Sequence, residues 1–290
     1  MSYVIVTDSC ANLPETIIDQ YDISIVPLSF HVGDRELKSY EKGKVTDFKQ
    51  FYDMMRNKEV ITTSLVSPEK FIDFFKPLLE AGQDVLYLGF SSGLSGTYQS
   101  ATIAADDLKG LYPQRQVITV DSLCACGGQG LMVLYAAQMR EQGSTIDEVA
   151  TWLKENILRM AHWFTCDDLF FLKRGGRISG ATAVVGSLLQ VKPVLHVNDE
   201  GKLVSVSKAR GRKQALAALV AQMEKTVEEP QKQTLFIAHA DCEEDALYIK
   251  KLVENKFSVK DIIVHYIDPV IGAHAGPGTV ALFFLGANRY

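Results

Sequence analysis

The chain is poor in the features that several common protein classes require. No apolar run approaches a membrane span: Val280 to Leu285 is typical of its longest, against the roughly 20 residues a spanning helix needs. There is no basic excess. The 30 Lys and Arg against 35 Asp and Glu leave a net charge of −5, which speaks against a general nucleic-acid binder. Cysteine is sparse and odd in number, with Cys10, Cys124, Cys126, Cys166 and Cys242 at no disulfide-framework spacing. Cys124-Ala125-Cys126 has one intervening residue and is not the redox C-x-x-C, so the five read as small core thiols suited to a reducing cytosol. Neither a G-x-x-x-x-G-K-[ST] phosphate loop nor a zinc-like His/Cys spacing occurs. Gly93-Leu94-Ser95-Gly96-Thr97 lacks the fifth-position glycine of a nucleophile elbow. No basic start followed by an apolar core precedes Tyr3–Asp8, which already reads as a strand, so no signal peptide is expected.

What is present describes a globular chain. At 290 residues, 47% apolar and 22% charged, it is long enough for two domains of ordinary size. Repeats, low-complexity tracts and flexible linkers are missing.

Strand and helix patterns alternate through the first half. Tyr3–Asp8, Ile23–Phe30, Val85–Phe90 and Gln116–Asp121 read as strands. Leu13–Tyr21, Phe48–Arg56, Pro68–Ala81, Gly96–Leu108, Gly128–Gln142 and Thr145–Leu158 read as helices. Near-continuous apolar strands between helices predict a parallel sheet covered on both faces. Asn12 with Glu15, Thr145 with Glu148, and Asp241 with Glu244 each fit the reciprocal capping box, and Ser67-Pro68 places a cap before proline at the first helical position. The second half is patterned differently. His162–Cys166, Pro193–Val197, Lys202–Val206, Thr234–Ala240, Asp261–Ile267 and Thr279–Leu285 read as strands, with helices at Gly180–Leu189, Lys213–Val227 and Glu243–Lys256. Asn198-Asp199-Glu200-Gly201 is a hairpin signal, so this sheet should be partly antiparallel. The expected architecture is α/β with two domains: a three-layer parallel sheet over 1–159, and a two-layer α/β unit with a mixed sheet over 160–290. The two should pack tightly and share a cleft.

Polar segments at strand ends carry the candidate chemistry, because ligands of open α/β sheets bind beyond the carboxyl ends of the strands. Thr7-Asp8-Ser9, Ser91-Ser92 and Asp121-Ser122 close three strands, and Thr62-Thr63-Ser64 reads as a loop before the helix at Pro68. Ser91-Ser92-Gly93-Leu94-Ser95-Gly96-Thr97 then opens a helix, where unpaired N–H groups, hydroxyls and the helix dipole favour an anion. Any one segment alone reads better as a helix cap; four together favour a polar site. His274 lies in Gly272-Ala273-His274-Ala275-Gly276-Pro277-Gly278, read as a loop of unusual backbone geometry, and could pair with or hydrogen-bond a carboxylate. Lys173-Arg174-Gly175-Gly176-Arg177-Ile178-Ser179, also read as a loop, resembles an anion contact. Lys208 to Lys213 reads as a solvated charged face. The other histidines read as packing or surface residues.

In order and spacing these segments resemble the DegV family, which includes the fatty-acid-binding subunits of bacterial fatty acid kinase. The likeness runs through Val6-Thr7-Asp8-Ser9, Thr63-Ser64, Ser91 to Tyr98, Asp121-Ser122, Gly130, Arg174 to Ile178, Lys192-Pro193-Val194-Leu195 and His274 to Gly278. It implies a long-chain fatty acid buried between or within the domains, its carboxylate held by Thr63, Ser91, Ser92 and His274. Asp8, Ser9, Gly93, Ser95, Gly96 and Arg177 would support the site. It also implies a separate ATP-dependent kinase that converts the bound acid to an acyl phosphate, docking at Arg210, Arg212 and Lys213, and transient membrane contact during lipid exchange. No cofactor, metal or catalytic residue is implied, and the protein would be cytoplasmic. Leu65-Val66-Ser67 stands where the family usually has Gln-Pro-Ser, which changes the loop after Thr63. Burying about fourteen methylenes at roughly 0.8 kcal/mol each contributes on the order of 11 kcal/mol before the costs of binding, so the tail would set affinity and the polar site orientation. Two other readings stay open: a small-molecule hydrolase or kinase-like enzyme using Ser91 and His274, and a sensor reporting lipid status to another protein.

Overall fold

The computed structural model describes residues 2–178 and 191–290. The expected helix at Gly180–Leu189, and Ser179, lie outside them. The first sheet is built from β1 (Tyr3–Asp8), β2 (Ser24–Val26), β6 (Asp84–Gly89) and β7 (Val117–Asp121), all parallel, in the order β2-β1-β6-β7. Both β1 and β6 are buried along their whole length, as parallel strands covered on two faces must be. The single expected strand over Ile23–Phe30 is two. Pro27 has no N–H for a ladder, and the chain leaves the sheet there to re-enter as β3 (Ser29–Val32). That strand pairs antiparallel with β4 (Arg35–Lys38) and β5 (Ile61–Ser64) in a small second sheet. Thr63 is therefore on a strand, not in a loop.

The helices of the first half are α1 (Glu15–Gln20), α2 (Phe48–Arg56), α3 (Pro68–Glu80), α4 (Thr97–Leu111), α5 (Gly127–Glu141) and α6 (Ile146–Asn156). The Thr145–Glu148 capping box is present, and Ser67 caps α3 by accepting from the Lys70 N–H. The Asn12–Glu15 box is not. Asn12 turns left-handed at φ 54°, and α1 starts only after Pro14. Glu15 instead accepts from the Tyr40 hydroxyl and the Gly43 N–H. The Asp241–Glu244 box is also missing, because Asp241 is drawn to Arg56 by an ion pair of 2.5 Å.

The third sheet is mixed, β10-β9-β8-β13-β11-β12, from β8 (Met160–Thr165), β9 (Val191–Val197), β10 (Leu203–Arg210), β11 (Thr234–His239), β12 (Asp261–Tyr266) and β13 (Val280–Leu285). The hairpin at Asn198–Gly201 joins β9 to β10 antiparallel, with Gly201 at φ +71°. The remaining helices are α7 (Phe170–Arg174), α8 (Arg212–Thr226), α9 (Glu243–Glu254) and α10 (Pro269–Ala275). Two expected loops are thus helical: α7 holds Lys173 and Arg174, and α10 holds His274 in its last turn, with Gly276 at φ 81° just beyond.

One continuous apolar core joins the two lobes. Helix α5 is buried almost all round, the signature of a helix between two layers. Its first turn can approach the third sheet only because it is glycine: a Cβ at Gly127 would lie 2.5 Å from the Phe236 ring. Among the described residues no helix is long and apolar enough to cross a membrane, and no cluster of three His, Cys, Asp or Glu is placed to hold a metal ion.

Candidate ligand site between the lobes

Where the lobes meet, a cavity of about 230 Å³ opens, a little under the roughly 300–1,000 Å³ usual for small-molecule sites. Its walls are mainly apolar. The first lobe supplies Leu28, Phe90 and Leu94, and the third sheet supplies Phe164, Val197 and Phe283. The polar lining includes Thr63, Ser64, Ser95, Arg177 and His274.

Four of these polar side chains are linked through a chain of contacts. Thr63 Oγ1 on β5 lies 2.8 Å from His274 Nε2 on α10, across 211 residues of sequence. Gly175, just past α7, packs against the opposite side of that ring, where a Cβ would collide with Nδ1. Arg177 donates to the Gly175 carbonyl and, through Nε, to the carbonyl of Leu94 at 3.2 Å. The next residue, Ser95, accepts from the Thr97 N–H and so shapes the start of α4. Leu65, two residues beyond Thr63, closes the circle over Gly96, its Cδ2 3.3 Å from where a Cβ would stand. Gly96 caps α4 without a side chain, so the positive end of that helix dipole borders the cavity.

Electrostatics favour an anion here. His274 is pushed down to about 4, first by burial and then by the nearby charges of Arg177 and Arg174. It is neutral at pH 7, and the arginine field that opposes its protonation attracts a carboxylate. A carboxyl group beside Thr63 and His274 would find a hydroxyl and an imidazole nitrogen within one hydrogen-bonding radius of each other.

Several expected site residues lie elsewhere. Ser91 and Ser92 do not line the cavity. Ser91 is buried with its hydroxyl donating to the Gly201 carbonyl at 2.8 Å, and Ser92 is exposed, its N–H on Asp121. Gly93 sits under the same hairpin, where a Cβ would come 2.5 Å from the Glu200 carbonyl oxygen. Asp8 is fully buried and accepts from the Tyr87 hydroxyl and the N–H groups of Phe90 and Cys10. Ser9 bonds Leu28 and Ser39. These residues brace the strand ends. Arg212 is likewise built into the fold, bonded to Asp245 and the Gly278 carbonyl, while Arg210 and Lys213 are exposed.

The structure adds residues with no signal in the sequence. His162 borders the cavity. Its Nε2 accepts from the Ala125 N–H at 3.2 Å and its Nδ1 faces the Met160 carbonyl at 2.9 Å, which fixes the neutral Nδ1–H form; burial holds its pKa well down. Cys126, on the same wall, has φ 54° and ψ −139°, a strained conformation for a residue with a side chain.

Taken together, an apolar cavity between two α/β lobes with one polar, anion-attracting pole defines a ligand-binding protein of mixed α/β class. The chain belongs to the DegV family: the model of uncharacterised DegV-family proteins matches residues 2–287. A DegV domain-containing protein of Clostridium perfringens is 45% identical over 287 residues, 99% of this chain and 98% of its own. Among solved structures, a DegV lipid-binding protein of Thermotoga maritima superposes with a TM-score of 0.88 at 31% identity, covering both chains completely. A DegV-family protein of Thermus thermophilus, described for its fatty acid binding, gives 0.88 at 30% identity over 99% of this chain and 100% of its own.

Proposed function

We propose that this protein binds a long-chain fatty acid in the interlobe cavity and presents its carboxyl group to a separate ATP-dependent kinase. The observation that carries the reading is the Thr63–His274 pair, 2.8 Å apart in the lining of a mainly apolar cavity. The solved Thermotoga and Thermus relatives, described as lipid- and fatty-acid-binding, support it. In this reading the carboxylate bonds the Thr63 hydroxyl and His274 Nε2, with Ser95, the α4 terminus and Arg177 supplying positive potential, and the acyl chain lies along the apolar wall. A buried carboxylate is tolerated only when paired or hydrogen-bonded.

The protein performs no chemistry itself. Its kinase partner would transfer the γ-phosphoryl group of ATP to a carboxylate oxygen, releasing ADP and leaving an acyl phosphate. Exposed Arg210 and Lys213 are the cations offered for docking; Arg212 is withdrawn from that set by its internal bonds. All five thiols are free, which suits action in a reducing cytoplasm; transient membrane contact would serve lipid exchange. The hydrolase reading is weaker, because the Ser91 hydroxyl is held by the second lobe and lies away from His274's cavity. Native mass spectrometry of gently purified protein tests the proposal. A mass excess of one long-chain fatty acid is expected; protein that carries none and takes up none would overturn it.

A further inference from the structure

The register of the third sheet gives the interlobe cavity a definite shape. Thr279, just ahead of β13, donates from its hydroxyl to the Ala275 carbonyl at 2.8 Å, which puts it beside His274 at the polar pole. Ala281 and Phe283 follow on the same face of the sheet, since alternate residues of a strand share a face. All three line the cavity. From Thr279 to Phe283 this first limb runs about 13 Å, at roughly 3.3 Å per strand residue, over the small side chain of Ala281.

The limb ends on a wall. His162 of β8 stands opposite Phe283 in the ladder, and the two rings meet edge to face, their centroids 5.3 Å apart at 87°. The imidazole is held at both nitrogens, by the Ala125 N–H and the Met160 carbonyl. It also lies hard against α5, where a Cβ at Gly128 would come 2.2 Å from Nε2. Phe283 is fixed in the same way, its ring packed on Phe236 and on the first turn of α5 at Gly127.

At that wall the lining turns sideways. The pairs Trp163–His196 and Phe164–Leu195 set the β8–β9 register, so Val197 stands next to His162, and Leu203 of β10 pairs with Val197. Both Val197 and Leu203 line the cavity. Two strand spacings, about 10 Å, separate His162 from Leu203. The inside of the corner is closed. Leu195, beside Phe164 and one rank nearer the polar pole, is fully buried and, among the described residues, is not part of the lining. A chain that starts at His274 therefore follows the first limb and bends at the wall.

We propose that this bend selects the acyl chain: the cavity takes fatty acids with a cis double bond near mid-chain in preference to saturated or trans acids of the same length, and His162 and Phe283 set that preference. A cis bond supplies the turn in the free ligand. A saturated chain must give up rotational freedom to make it, and a trans bond holds the chain straight. The inference rests on the fatty-acid reading above and adds to it which acids are bound.

Displacement of a fluorescent fatty acid from the full chain by oleate, elaidate and stearate tests it, because the three share one length and differ only at mid-chain. Oleate should bind tighter than either of the others by about tenfold or more, the scale of a shape mismatch in an apolar pocket. Phe283→Ala removes the wall and should erase most of that advantage. Should that variant unfold, Leu203→Trp fills the second limb from its far end and should weaken oleate while narrowing its lead over elaidate. Equal binding of the three acids by the wild type, or an undiminished oleate preference in folded Phe283→Ala or Leu203→Trp, would overturn the bend and leave fatty acid binding standing. A protein that binds none of the three would overturn the fatty-acid reading, and this inference with it.

Discussion

The hydroxyl of Ser91 donates to the carbonyl of Gly201 at 2.8 Å, so the turn after β6 is fastened to the hairpin of the other lobe. Ser91→Ala leaves that carbonyl without its donor, and a buried unsatisfied group costs about 1–3 kcal/mol. Denaturant unfolding should report a loss of that size. Fatty acid occupancy by mass spectrometry should stay at the wild-type level; a variant that is stable but empty would move Ser91 back to the ligand.

Thr63→Val keeps the shape of the side chain and removes the hydroxyl facing His274 Nε2. A hydrogen bond to a charged group contributes about 1.5–3 kcal/mol, so fatty acid affinity should drop about 10- to 100-fold. Displacement of a fluorescent fatty acid measures this, and an unchanged constant would take Thr63 out of the carboxylate site.

The pH dependence of His274 has a definite sign. Its folded pKa, about 4, lies below the ordinary 6.5, so between those values the unfolded chain binds the extra proton and stability falls as the solution is acidified. The contribution is fully present above pH 6.5 and amounts to up to about 3 kcal/mol lost by pH 4. Asp268, raised to about 7, acts oppositely, gaining stability on acidification, so the comparison must isolate His274. The stability difference between the ligand-free wild type and His274→Gln should shift against the wild type from pH 7 to pH 4. A difference that is flat with pH would contradict the depressed pKa.

Leu65 is half-exposed, borders the cavity and leans on Gly96. Leu65→Ala removes an apolar cover from the mouth at little cost to the core. Stopped-flow transfer of bound fatty acid to vesicles should be faster by about the factor corresponding to 1–2 kcal/mol of lost apolar contact, roughly 5- to 30-fold.

Arg210 and Arg212 should separate cleanly. Arg210→Glu, on the surface, should leave thermal unfolding within about 0.5 kcal/mol of wild type while reducing acyl phosphate formation by the kinase. Arg212→Ala should destabilise by about 1–3 kcal/mol, because Asp245 and the Gly278 carbonyl lose their donor. Full kinase coupling with Arg210→Glu would rule out that docking surface.

Much of the secondary structure was legible because burial periodicity and caps are local. The apolar runs of β1 and β6 allow no other reading, and Thr145–Glu148 marks the start of α6 within four residues. The misread pieces were those in which a distant partner, or a cap just ahead of the segment, overrode a local rule. Asn12 and Glu15 fit a capping box by spacing, yet Asn12 receives the Asp268 N–H from 256 residues away. Gly272 to Gly278 carries loop-like composition, yet Asp268 and Pro269 start a helix there. For the site, residue types pointed to Thr63, Ser95, Arg177 and His274, whereas Ser91 and His162 show why hydroxyls and imidazoles cannot be sorted by sequence alone.

The sequence by itself determined the alternation of buried strands and helices, the mixed sheet of the second half, and a family pattern with hydroxyl, arginine and histidine at set places, because these follow from residue types and short spacings. Tertiary structure decided which of those polar groups share a cavity. That outcome depends on where two lobes close on one another, which turns Ser95 toward the cavity and Ser91, four residues earlier, toward a backbone carbonyl.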